Sequence, residues 1–133
     1  MKGYWLVTRD RPGLVAAVLP LLARDARLVL EGDLARCRFP DGLTIARERP
    51  DRLVIPLAAG AVRPILDAIS PGPLDRDLVR LWVERGHDVL FESSLSDPFP
   101  GAFVTADEVN EDFLFRLQVL GVIRTWMGPA EGP

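Results

Sequence analysis

Two acidic residues, Glu31 and Asp33, lie two positions apart inside an otherwise apolar stretch, residues 28–34. Residues two apart on a strand face the same side of it, and Gly32 between them lets another backbone approach closely. Paired carboxylates bind divalent cations or share general acid and base roles. The pair therefore predicts a ligand-binding site. The alternative is a solvated strand face, or a turn in which Asp33 bonds its own backbone.

The turn Asp10-Arg11-Pro12-Gly13 offers a second ligand site. It lies between a strand-like run and a helix-like run, with Asp10 placed as an N-cap and Pro12 in the first helical turn. Backbone N–H groups at the start of a helix favour anionic groups. We therefore predict that Asp10, Arg11 and Gly13 contact a small anionic ligand.

The other chemistry-bearing residues predict no catalytic centre. His87 lies in a Gly-containing turn, which is typical of a surface side chain rather than a member of a catalytic triad. Cys37 lies between Arg36 and Arg38, which would lower the pKa of its thiol. On a strand, however, its side chain points away from both neighbours, which favours a packed core position. The sequence contains no Gly-x-Ser-x-Gly, P-loop or His-Glu-x-x-His pattern, so we assign no catalytic residue, no metal and no cofactor.

Two aromatic residues are predicted to contact a protein partner. Trp82 shares the less apolar face of its strand with Arg80 and Glu84, where it would act as a contact anchor. The alternative is that the last helix covers it. Phe99 lies in the loop 93–101 beside two prolines, and loops carry recognition residues more often than cores do.

Length and composition predict a single cytoplasmic domain. The chain has 133 residues, of which 48% are hydrophobic and 26% charged, values typical of globular proteins. We predict one domain over residues 1–127 and a flexible C-terminal tail over 128–133. The longest uncharged run, residues 12–23, is too short to span a bilayer. A single cysteine excludes an internal disulfide and fits a reducing cytosol.

The charge distribution favours a protein partner over a nucleic acid. The sequence pI is about 5.1, whereas nucleic-acid-binding domains present a basic field. Residues 1–52 carry ten basic and seven acidic side chains, and residues 53–133 carry six basic and twelve acidic ones. Such opposite patches meet within one domain or between protomers. Because two-fold dimers are the commonest oligomers, we predict a homodimer through a sheet edge or the charged patches, with a further protein partner.

Hydrophobic periodicity predicts strands and helices that mix without strict alternation. The predicted strands are 4–8, 27–39 (as one or two strands), 43–46, 52–57, 78–85, 89–93, 102–104 and 122–126. The predicted helices are 14–23, 61–69 and 106–120. This order predicts an α+β fold, with an antiparallel or mixed sheet and the helices packed on one face.

Details of these elements make the prediction more specific. Pro20 is expected to kink or break the first helix. In the strand 78–85, Val79, Leu81 and Val83 are expected to face the core. Thr105 and Glu108 form a capping-box pattern at the start of the last helix. That helix is expected to bury four apolar residues, Val109, Phe113, Leu117 and Leu120.

Residues 1–85 resemble an ACT domain, the ferredoxin-like βαββαβ module of regulatory proteins that bind amino acids. The resemblance is carried by the segment 9–14, Arg-Asp-Arg-Pro-Gly-Leu, which follows the first strand as the Asp-x-Pro-Gly turn does in that family. It implies that ferredoxin-like elements are present and that Asp10 and Gly13 face the ligand. The chain departs from the family pattern at Pro20 and from Val89 onward.

These observations favour a small non-enzymatic module that binds another protein, including a second copy of itself. The alternative is an ACT-like regulatory domain that binds a small anionic ligand, such as an amino acid, at the turn 10–13. A third function, a metal-dependent enzyme that uses Glu31 and Asp33, has the least support.

Overall fold

The computed structural model describes residues 1–95 and 101–133. Within these ranges, eight strands form one antiparallel sheet in the order β3-β4-β2-β5-β6-β7-β1-β8. The strands are β1 (Lys2–Thr8), β2 (Ala26–Gly32), β3 (Ala46–Arg49), β4 (Arg52–Leu57), β5 (Leu78–Arg85), β6 (Asp88–Ser94), β7 (Gly101–Thr105) and β8 (Ile123–Glu131). The helices are α1 (Arg11–Leu22), α2 (Val62–Ile69), α3 (Gly72–Arg76) and α4 (Glu111–Val119). The predicted α+β class is therefore confirmed.

Alternation along the strands divides the sheet into two faces. One continuous row of paired residues faces the core, including Leu6 on β1, Leu81 on β5 and Leu30 on β2. Side chains from all four helices belong to the same buried cluster. The next row, which we call the outer row, points to the opposite face because neighbouring residues on a strand alternate. Its members are Met127, Trp5, Phe103, Glu92, Trp82, Val29, Val54 and Ala46.

The position of β1 in the sheet is decided by long-range pairing. β1 lies between β7 and β8, and β6 and β7 separate it from β5. Four antiparallel steps leave β1 and β2 pointing in the same direction, so α1 crosses over three intervening strands. If β3 and α3 are left out, the chain order β1-α1-β2-β4-α2-β5 is the βαββαβ order that the family resemblance implies. In the sheet, however, β1 is not a neighbour of β2, β4 or β5, and the resemblance itself stays a prediction.

The predicted strand over 27–39 ends earlier, at Gly32. This glycine has φ +140°, a conformation that other residues rarely adopt, and it changes the register between β2 and β5. Glu31 pairs with Arg80 and Gly32 pairs with Leu78, which leaves Val79 as the extra residue of a bulge. The prediction that Val79 faces the core is therefore wrong, and its side chain is 54% exposed.

The last helix begins later than the capping-box pattern predicts. Asn110 is the N-cap of α4, and its side chain accepts a hydrogen bond of 3.0 Å from the Phe113 N–H. Thr105 instead ends β7, where its hydroxyl accepts a hydrogen bond from the Asp107 N–H. The later start changes which residues are buried, because Leu114 lies in the core and Leu120 does not.

Pro20 does not break α1, which continues to Leu22. Proline removes the hydrogen bond to the carbonyl of Ala16, but both Pro20 and Ala16 are exposed. Water therefore reaches the Ala16 carbonyl, which has no N–H partner in the helix. The helix tolerates a proline at this position because it lies on the solvent side.

Most of the predicted C-terminal tail is strand. The prediction of a flexible segment over 128–133 is wrong for residues 128–131, which belong to β8. Glu131 pairs with Lys2 and Ala130 pairs with Gly3. The Gly132 N–H also donates a hydrogen bond of 3.0 Å to the Met1 carbonyl. The two ends of the chain thus hold each other in the sheet.

Candidate functional site

The turn 10–13 is closed by its own side chain. Asp10 is the N-cap of α1, as predicted, and its Oδ1 accepts a hydrogen bond of 3.0 Å from the Gly13 N–H. The Leu14 N–H donates to the Asp10 carbonyl, and Pro12 has no N–H. A Cβ at Gly13 would overlap the Asp10 carboxylate, so glycine here makes room for the cap. An anionic ligand would have to displace that carboxylate, and ligand binding at this turn stays a prediction.

Arg11 points into the protein rather than toward a ligand. It is 8% exposed, and its Nε donates to Ser93 Oγ at 2.8 Å while its Nη2 donates to the Ser93 carbonyl at 3.0 Å. Nη1 donates to the carbonyls of Leu74 at 2.8 Å and Leu78 at 2.5 Å. Burial lowers the pKa of Arg11 to about 10, an effect that Asp75 partly opposes. The side chain remains charged at neutral pH and joins α1 to α3, β5 and β6, which corrects its assignment as a ligand contact.

Glu31 lies within an arginine cluster. Its Oε2 accepts hydrogen bonds from Arg49 at 2.8 Å and from the Arg52 Nε at 2.6 Å. The Glu31 side chain is 17% exposed. With two guanidinium groups on one carboxylate oxygen, the charge of Glu31 is neutralised inside the fold, and the pairing holds β2 to the β3–β4 hairpin.

Asp33 does not lie beside Glu31 on one strand face. It follows the end of β2, and its Oδ1 accepts a hydrogen bond of 3.0 Å from the Ala35 N–H. The positive φ of Gly32 interrupts the two-residue alternation on which a paired site depends. Among the described residues, no group of three or more His, Cys, Asp or Glu side chains is arranged to hold a metal ion. Asp33 thus lies in a turn and bonds the nearby backbone, which was the alternative that the sequence offered.

Cys37 is half-buried and packs against the core. Burial, and to a smaller extent the carboxylates of Asp77 and Asp33, raise the pKa of its thiol to about 11 against the opposing effect of Arg38. The environment of Cys37 is therefore that of a packed, neutral thiol and not that of an activated thiolate. The residue lies in the irregular segment between β2 and β3, not on a strand.

We expect Cys37 to be alkylated slowly by iodoacetamide. At pH 8 a thiol with a pKa of about 11 has roughly 100-fold less thiolate than one with the ordinary value of 9.0. The fold favours the neutral thiol, whereas the unfolded chain ionises with the ordinary pKa of 9.0. The stability that Cys37 contributes is therefore fully present below pH 9 and is lost as the pH rises toward 11. Native and urea-unfolded protein should be compared at pH 8, and equal alkylation rates would contradict the assignment.

Trp82 shares a face with Arg80 and Glu84, as its strand position predicts. Its ring is half-buried and lies in the outer row. The Arg80 guanidinium lies 4.4 Å and the Arg52 guanidinium 5.4 Å from the ring centroid, within the range of cation–π attraction. The Trp82 Nε1–H donates to Glu84 at 3.3 Å. Arginines, rather than the last helix, cover this ring, and its role in partner contact stays a prediction.

Two ion pairs join the basic and acidic halves of the chain, one between neighbouring strands and one between turns. Arg27 donates to Glu84 at 2.5 Å, and Arg36 lies 3.8 Å from Asp77. Because the arginine of each pair is more than half exposed, each contributes little to stability. The opposite charges thus meet in part within one domain. Phe99, the other predicted protein contact, lies outside the described residues.

The surface of α4 and the residue that follows it carry an apolar patch that hydrophobic periodicity did not predict. Phe115 is 58%, Val119 69% and Leu120 75% exposed. Phe115 and Val119 are four residues apart and therefore neighbours on one side of the helix, and Leu120 follows directly. We call these three residues the α4 patch. Leu114 and Leu117, on the other side of the helix, are buried in the core.

The sequence contains a signal for this patch. Apolar residues occupy six of the eight positions from Phe113 to Leu120. A helix lying on a protein surface buries only one stripe, so a segment that is apolar nearly all around leaves side chains exposed. The predicted helix, which began at Ala106, placed Leu120 among the buried residues. The prediction therefore did not show that the segment has more apolar side chains than the core can bury.

Comparisons with protein families, curated proteins and solved structures find no match to this chain. Among the helices of the described residues, none is long and apolar enough to cross a membrane. The function is therefore inferred from the geometry of the chain itself.

Proposed function

We propose that this chain is a non-enzymatic module that binds another protein through the α4 patch. The observation that carries the proposal is the exposure of Phe115 and Val119 on one side of α4 and of Leu120 directly after the helix. Isolated exposed apolar residues are ordinary on protein surfaces, whereas adjacent ones mark interaction sites. Burying each of these side chains in an interface would contribute on the order of 1.5–3 kcal/mol before the costs of association.

The surroundings of the α4 patch support a protein partner. The charged residues near it are exposed: Glu111 and Asp112 in the first turn of α4, Arg116 in its last turn, and Arg124 at the start of β8. An apolar centre within a polar rim is the usual anatomy of a protein interface. The buried side of α4 anchors the helix in the core, so the patch is presented on an ordered element with little ordering cost on binding.

Site-specific photo-crosslinking tests this function. A benzophenone amino acid is placed at position 119 and, as a control, at position 79, because Val79 is also exposed. β5, which carries Val79, is four strands from β8 in the sheet, or roughly 19 Å. In extracts of the source cell we expect a discrete adduct from position 119 and none from position 79. No adduct from position 119 above the control would refute the proposal.

A further inference from the structure

We propose that the partner of the α4 patch is a second copy of this chain, packed against it as an antiparallel pair of α4 helices around a two-fold axis. This inference rests on the proposed function and names its partner. A two-fold interface uses the same surface on both copies, so the surface must be complementary to itself. Both the apolar residues and the charges of α4 meet this condition.

The apolar part is self-complementary because Phe115 and Val119 lie on one side of α4, one turn apart. In an antiparallel pair with its axis near Leu117, Phe115 of one copy lies opposite Val119 of the other, and the reverse contact follows by symmetry. A large aromatic side chain thus faces a smaller branched one in both halves of the interface.

The charges of α4 are polarised along the helix. Glu111 and Asp112 lie in its first turn, and Arg116 lies in its last turn. Arg124 is held beside that last turn, since the Gln118 Nε2 donates a hydrogen bond of 2.8 Å to the Arg124 carbonyl. With the axis near Leu117, an antiparallel pair brings the acidic first turn of one helix to the level of Arg124 of the other. A parallel arrangement would place like charges together, which is unfavourable.

The small area of the patch sets the expected affinity. Two side chains on a nine-residue helix and one directly after it form an interface at the lower end of the range for specific complexes, so we expect a micromolar dimer. Sedimentation velocity of the purified full chain, from about 1 to 200 µM, should show a shift from 14.7 kDa toward twice that mass. A single 14.7 kDa species throughout would overturn the inference.

Two variants locate the interface. Val119→Asp should raise the dimer dissociation constant by about tenfold or more, because it places a charge in the apolar contact. Val79→Asp adds the same charge at another exposed valine and should leave the dissociation constant unchanged. Circular dichroism confirms that both variants are folded. If Val119→Asp has no effect while Arg47→Glu on the edge strand β3 disrupts the dimer, association occurs at the sheet edge and the α4 inference is wrong.

A charge exchange tests whether the charges of α4 and Arg124 meet across the dimer. The variant Glu111→Arg/Asp112→Arg has only positive charge along α4, and the variant Arg116→Glu/Arg124→Glu has only negative charge. Each alone should be monomeric at concentrations where the native chain is a dimer, and an equimolar mixture should associate again. Failure of the mixture to associate would show that these charges do not meet in the dimer and would overturn the inference. If the purified chain is monomeric but crosslinking at position 119 captures a different protein, the proposed function stands and this inference fails.

Discussion

Replacing Arg11 by methionine is expected to lower the free energy of unfolding by about 3–5 kcal/mol, which is large compared with the 5–15 kcal/mol of an ordinary domain. The guanidinium donates to the carbonyls of Leu74, Leu78 and Ser93 and to the Ser93 hydroxyl. Each of these buried acceptors loses its donor in the variant. The net loss is smaller than the sum of the four hydrogen bonds, because methionine also removes the cost of burying a charge.

Urea unfolding followed by circular dichroism measures this loss, together with a fall in melting temperature of roughly 10–20 °C. Arg9→Met is the matched control, since Arg9 is exposed two residues earlier in the chain, and its effect should stay within about 0.5 kcal/mol. Arg11→Lys keeps the charge but cannot reach acceptors on three elements with one ammonium group, so it should also destabilise the fold. A melting temperature within about 2 °C of the native value for Arg11→Met would contradict the role of this residue.

Replacing Gly32 by alanine is the second change with a large expected effect, about 3–5 kcal/mol. The φ of +140° strains any residue with a Cβ. A Cβ at this position would also overlap the Asp77 carbonyl and lie 2.7 Å from the Val79 nitrogen. Both are backbone atoms, so they cannot move aside as the end of a flexible side chain would. Relief requires β2 and β5 to separate at the bulge.

Gly60→Ala provides the control for Gly32→Ala. A Cβ at Gly60 has no atom within 4 Å, and the substitution reduces the freedom of the unfolded chain, so we expect a gain of roughly 0.4–1 kcal/mol. The two alanine variants should therefore change stability in opposite directions in the same urea titration. Equal stability of both would show that β2 and β5 tolerate a side chain at their bulge.

Local patterns in the sequence determined several elements nearly to the residue. The predicted strand 52–57 has the same bounds as β4, and the hairpin of β5 and β6 turns near Gly86, which has φ +63°. Asp10 caps α1 as its residue type predicts. Each of these depends on interactions within a few residues: strand alternation, turn conformation, and a side chain bonded to a nearby N–H. Such interactions are contained in the order of the amino acids.

Tertiary structure alone decided several other features of this protein. The acceptors of Arg11 lie 63 to 82 residues away, so no local pattern indicates that this arginine points inward. Residues 128–131 form strand because β1 offers them a free edge, and Glu31 is neutralised by arginines 18 and 21 positions later. The exposure of Phe115, Val119 and Leu120 depends on which side of α4 the core can cover. A single sheet face has room for one stripe of that helix, and the chain supplies more apolar side chains than the stripe can bury.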